Sequence, residues 1–166
     1  MSLINTELKI KKSTFHVFFD WFAGIVFIGM VVFWLFNLSS LPSEVPMHYN
    51  AKGEIDRYGS KWETIILPFI SVFLWVMCYF IEKHPSLMNI PKKLTKENEK
   101  EIFTISTHLL SVIKNFSLLI FSFLIFEICW TAKGNEQLLS SWFLPVILLV
   151  TFVPIIYYSI KLVKVK

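Results

Sequence analysis

Residues 41–62 read LPSEVPMHYNAKGEIDRYGSKW and stand between two apolar runs. Upstream, residues 15–38 are FHVFFDWFAGIVFIGMVVFWLFNL; downstream, residues 62–82 are WETIILPFISVFLWVMCYFIE. A hydrocarbon core of roughly 30 Å needs about 20 helical residues, so each flank is long enough to cross a bilayer. The polar stretch is then a loop between two transmembrane helices. It holds the chain's sole arginine, Arg57, and one of its four histidines, His48.

Composition extends this reading to the whole chain. Of 166 residues, 55% are hydrophobic, seventeen are Phe and only 17% are charged, against roughly 25% in a soluble domain. A soluble fold of this size has too little interior to hide so much apolar surface. The net charge of +4 does not point to nucleic acid, because the lysines gather at the ends of apolar runs, as membrane topology requires. Cys78 and Cys129 both lie inside apolar runs and read as small core residues, not as a disulfide or zinc framework. No A-x-A-like site closes the first run, so it reads as an uncleaved span. Before it, Leu3, Ile4, Leu8 and Ile10 fit either an amphipathic start on the membrane surface or a frayed tail.

Two further spans follow, at about residues 109–131 and 138–163. The helix of the third is expected to start earlier, capped by Thr95, with Glu97, Glu99 and Glu101 complementing its dipole. Pro85 and Pro91 break the preceding link, Gly134-Asn135 marks a tight turn, and Pro145 and Pro154 are expected to bend the last span. His16 and Asp20, four residues apart, are placed to pair on one helical face, and Lys114 to snorkel to the interface. The predicted fold is an all-α membrane protein, residues 1–166 forming one domain: a bundle of four transmembrane helices with a structured extracytoplasmic loop between helices 1 and 2. Orientation follows from charge. Lys9, Lys11, Lys12, Lys83, Lys92, Lys93, Lys96, Lys100, Lys161, Lys164 and Lys166 fall on one face; Lys52, Arg57, Lys61 and Lys133 fall on the other. The positive-inside rule puts both termini in the cytoplasm. Trp34, Trp62, Trp130 and Trp142 then gather at the outer interface.

Within the loop, Pro42 and Pro46 disfavour helix, and His48-Tyr49-Asn50 reads as a short extended piece. Residues 50–53 form a turn with Gly53 free to take positive φ. Tyr58-Gly59-Ser60 reads as a second turn, with Ser60 and Glu63 making a capping box for the second span. His48 and Asp56, with Asn50 and a carboxylate from Glu44 or Glu54, are candidate metal ligands by residue type. Their spacing matches no standard zinc pattern, and a hydrogen-bonded loop built on Asn50 and Asp56 is the simpler reading. Arg57 and Lys61 are candidates for an anionic ligand or for plain interfacial anchoring. Glu127, one turn inside the third span, should face the bundle, because a carboxylate in lipid is costly; it is expected to pair with a cation of the loop. No nucleophile–base constellation or phosphate loop is present. Glu82, His84 and His108 read as structural.

The loop also resembles a known signature. Leu41, Pro42, Val45, Pro46, His48, Asn50, Gly53, Asp56, Ser60 and Lys61, with Tyr49 as an aromatic variant, are similar in register to the domain of unknown function 1648. That domain also forms the N-terminal part of SdpI-type bacteriocin immunity proteins, which look longer, with further spans after this domain. The leading reading is a non-enzymatic protein that binds a toxin peptide or a lipid-linked molecule at the outer face, with His48, Asn50, Asp56, Arg57, Lys61 and Glu127 as its candidate ligand residues; the resemblance implies a protective, immunity-like role for it in a bacterial envelope. Two contrasting readings stay open: a small membrane enzyme or carrier using His48, Asp56, Lys61 and Glu127, and a membrane subunit whose loop docks a partner protein. Membrane lipid is an expected partner under each. No cofactor is assigned.

Overall fold

The computed structural model describes residues 10–90 and 94–165. Leu3, Ile4, Leu8, Lys9, Pro91, Lys92, Lys93 and Lys166 lie outside the described residues. Four helices form: α1 (Thr14–Leu38), α2 (Ile66–Lys83), α3 (Glu99–Ala132) and α4 (Phe143–Lys164). All four are long and apolar enough to cross a membrane, and the chain is a multi-pass membrane protein. Between α1 and α2 lies an antiparallel hairpin of β1 (Glu44–Tyr49) and β2 (Ile55–Ser60).

Helix α3 is the hub, since α1, α2 and α4 all pack on it. Its 34 residues would extend about 50 Å, more than the hydrocarbon core is thick. It also supplies small polar residues to the interior, with Thr107, Ser111, Asn115 and Ser122 all buried. The other helices turn large side chains outward: Phe18, Trp21, Ile25 and Phe36 of α1 and Phe69 of α2 are exposed, as expected where lipid is the solvent. No residue of α4 is buried, so this helix touches α3 by one edge. Cys78 and Cys129 are free and buried.

Several elements depart from the sequence reading. Tyr58, Gly59 and Ser60 are not a turn but the end of β2, paired with Pro46, Val45 and Glu44. A Cβ on Gly59 would sit 2.6 Å from Glu63 Oε1, so the missing side chain leaves room for Glu63 to fold back. Ser60 then caps as expected: its amide donates to Glu63 Oε1 at 2.9 Å, opening a 3-10 turn, Lys61–Ile65, that leads into α2. Helix α3 starts at Glu99, one turn after Thr95; Thr95 and Asn98 instead exchange hydrogen bonds, Thr95 N to Asn98 Oδ1 at 2.9 Å and Asn98 N to Thr95 Oγ1 at 3.3 Å. Helix α4 starts at Phe143, because residues 138 and 139 are held elsewhere. Pro145 consequently falls in its first turn, where a missing N–H costs nothing, while Pro154 lies inside the helix. Trp34 does not join an interfacial belt. It is buried, and its indole donates to Thr64 Oγ1 at 2.9 Å.

Candidate functional site

The hairpin is fastened to the bundle at three places. Leu41 and Val45 enter a core with Trp34, Ile125, Ile128 and Cys129, which joins α1, the hairpin and α3. Lys61 Nζ donates to the carbonyl of Leu41 at 3.1 Å, so this candidate ligand group instead satisfies the backbone after α1. At the tip, Gln137 of the α3–α4 link donates to the carbonyls of Gly53 and Leu139.

The tip is built by Asn50 and Gly53. Asn50 Oδ1 accepts from the amides of Lys52 (2.9 Å) and Glu54 (3.0 Å), and its Nδ2 donates to Glu54 Oε2 at 2.8 Å. A short amide side chain that bonds its own downstream backbone is the reason Asn suits this turn. Asn50 is thus occupied by the loop itself. Gly53 takes φ +82°, and a Cβ there would fall 2.5 Å from the Ser140 backbone.

Glu127 lies beneath, fully buried. The expected pairing with a loop cation does not occur. Its Oε1 accepts from Thr131 Oγ1 at 3.1 Å and from the amides of Leu138 and Leu139 at 3.1 and 3.2 Å. The carboxylate therefore ties down the α3–α4 link, which in turn receives the hairpin tip. Tyr49 of β1 stands beside it. Burial, and then the Glu127 charge, push the Tyr49 phenol above its ordinary range.

His48, Asp56 and Arg57 face outward. His48 Nδ1 and Asp56 Oδ1 are 2.5 Å apart across the hairpin, and Arg57 Nη1 donates to Glu63 Oε2 at 3.1 Å. Asp56 bonds the imidazole, and of the expected pair Asn50 and Asp56 it is Asn50 that accepts from the loop backbone. Among the described residues, no third His, Cys, Asp or Glu joins His48 and Asp56. The six candidate ligand residues do not converge on one point: Asn50, Lys61 and Glu127 hold the architecture, while His48, Asp56 and Arg57 line its exposed edge. Since exposed ion pairs contribute little, His48→Ala is expected to change stability by no more than about 1 kcal/mol, measured by thermal unfolding in detergent.

Beneath the roof lies a cavity of about 510 Å³, lined by Met47, Tyr49 and Gly53 of the hairpin and by Ile128, Leu139 and Leu144 among other apolar groups. It opens between α2, α3 and α4. No signal in the sequence marks it, because it arises only where the hairpin bridges helices distant in the chain.

A second polar centre lies at the opposite end, near the termini. Lys12 Nζ is 2.6 Å from Asp20 Oδ2 and also contacts Glu82. Lys114 Nζ is 3.1 Å from both Asp20 Oδ1 and Glu82 Oε1. Asn115 and Ser111 donate to Asp20 at 2.6 and 3.2 Å. Two cations and two carboxylates form a closed ring that links α1, α2 and α3. Burial opposes the Lys12 charge, yet hydrogen bonds to Asp20 and Glu82 raise its pKa above the usual 10.5. Lys114 does not snorkel; it is buried and lies 4.9 Å from the Trp75 ring centroid. His16 does not pair with Asp20; it shares hydrogen bonds with the hydroxyls of Ser13 (2.7 Å) and Tyr158 (3.1 Å) and stacks on His108 at 3.9 Å. The ring did have a sequence signal. Asp20, Glu82 and Lys114 each lie in or at the edge of an apolar run, and charges there seek one another.

Comparison with known proteins places the hairpin in context. The family model described as "Domain of unknown function (DUF1648)" matches residues 25–72, which hold most of α1, the whole hairpin and the start of α2. An uncharacterized protein of Archaeoglobus fulgidus is similar, 35% identical over 75 residues that cover 39% of this chain and 41% of the relative. The chain thus matches less than half of that relative's length. No solved structure matches.

Proposed function

We propose, from the premise that residues 25–72 belong to the domain of unknown function 1648 family, that the protein binds an amphiphilic ligand beneath the hairpin. The ligand class is a lipid-linked molecule or an apolar toxin peptide. One observation carries this reading: the 510 Å³ cavity has an apolar floor and a roof whose edge carries His48 and Asn50. Binding sites for small amphiphiles are apolar concavities with a few placed polar groups, and this volume falls in their range. The positive-inside rule supports an orientation with both termini cytoplasmic and the hairpin outside. A ligand met there is an envelope component or an incoming peptide, and capturing it is a protective, immunity-like role in a bacterial membrane.

The test is native mass spectrometry of the detergent-purified protein beside Leu144→Trp. Leu144 lines the cavity and is not a core residue, so a larger ring there takes up cavity space. The expected result is a bound species on the parent protein that is lost from the variant. Equal occupancy in both, or none in the parent, counts against the reading.

A further inference from the structure

At the end opposite the hairpin, α1, α3 and α4 leave a second cavity of about 490 Å³. Its wall is hydrocarbon, with Phe19 and Phe22 from α1, Val112 and Phe116 from α3, and Val153 and Pro154 from α4. A groove of this kind in a lipid-facing wall admits an acyl chain and rejects a polar group.

The chemistry changes at its mouth. Tyr157 and Tyr158 line the rim, and Lys161 Nζ lies 4.6 and 6.0 Å from their ring centroids. Lys164 follows in the last turn of α4. His108 of α3 stands in the field of both Lys161 and Lys12, and its Nε2 is buried without a hydrogen-bond partner among the described residues. The acidic groups at this depth, Asp20 and Glu82, are already bound to Lys12 and Lys114. Glu101, at the start of α3, lies seven residues before His108, about 10 Å further along the helix. Among the described residues neither Lys161 nor Lys164 joins an ion pair.

We infer that this groove is a site for an anionic phospholipid. One acyl chain lies along the phenylalanines, and the phosphate sits at the mouth, facing Lys161 beside the Tyr157 and Tyr158 rings. The inference is independent of the ligand proposed beneath the hairpin, because the two cavities lie at opposite ends of the bundle.

The test uses the full chain in nanodiscs of phosphatidylglycerol and phosphatidylcholine with identical acyl chains, released and weighed by native mass spectrometry. The parent protein is expected to retain one phosphatidylglycerol about tenfold or more over phosphatidylcholine, the scale set by roughly 1 kcal/mol per basic residue at an anionic surface. Lys161→Gln with Lys164→Gln should abolish that preference, and Val153→Trp should remove both lipids by filling the groove. All three positions are exposed on α4, and an unchanged melting temperature checks the fold. Lys133→Gln, at the hairpin end, is the control expected to leave retention as it is. Equal retention of the two lipids by the parent, a preference that survives loss of both lysines, or lipid retained by Val153→Trp would overturn the inference.

Discussion

Lys114→Met is expected to destabilise the protein by about 3–5 kcal/mol, the scale for removing one partner of a buried ion pair. The substitution keeps most of the side-chain volume and removes the charge together with its hydrogen bond to Glu82. It leaves Asp20 and Glu82 facing Lys12 alone, so one negative charge is uncompensated between α1, α2 and α3. Attraction within the ring offsets the desolvation of four charges only while the ring is closed. Asp20→Asn combined with Lys114→Met removes one charge of each sign and is expected to recover more than half of the loss. Thermal unfolding in detergent reads both. A single variant within about 1 kcal/mol of the parent would mean that the ring is wet and that water replaces its bonds. Alkaline pH acts on the same ring. With its pKa held above 10.5, Lys12 contributes fully below the unfolded value, and its contribution is lost only as pH rises through the raised one.

Gly53→Ala is expected to cost roughly 2–5 kcal/mol, the sum of left-handed strain and overpacking. Position 53 has φ +82°, and its new methyl would meet the Ser140 backbone at 2.5 Å, which cannot rotate away as a side chain would. The hairpin tip must therefore lift from the α3–α4 link and break the bond from Gln137 to the Gly53 carbonyl. Gly134→Ala is the matched control. Its φ is +84°, yet nothing lies within 4 Å of the added carbon, so only the strain of about 1–2 kcal/mol remains. Hydrogen exchange should rise at residues 50–54 and 137–140 for Gly53→Ala alone. Equal effects of the two substitutions would show that the tip is not docked.

Much of the fold was legible because its governing constraint is local. Each span declares itself by a run of apolar residues, and the capping of α2 by Ser60 and Glu63 needs residues only three apart. What was not legible depends on how helices turn toward one another. Trp34 near a span end looks the same in sequence whether it faces lipid or Thr64. Lys114 looked like a snorkelling lysine because the two carboxylates that hold it come from α1 and α2, 94 and 32 residues away. Glu127 was correctly placed in the interior, but its partners are the amides of Leu138 and Leu139. Backbone donors have no residue signature, and the same bonds that hide them also delay the start of α4. At the candidate site, Asn50 and Gly53 were read as turn residues and are so. The cavity they cover could not be read, since its floor comes from α3 and α4 and its roof from the hairpin.

Photo-crosslinking in native membranes puts the proposed site to its most direct test. A photoreactive residue replaces Ala51 on the roof, Leu144 on the floor, or Phe36 on the lipid-facing side of α1 near the hairpin end. Capture of one and the same amphiphile from positions 51 and 144, and not from position 36, is the expected result. Capture of ordinary bilayer lipid equally from all three, or of nothing at 51 and 144, would contradict a binding site beneath the hairpin.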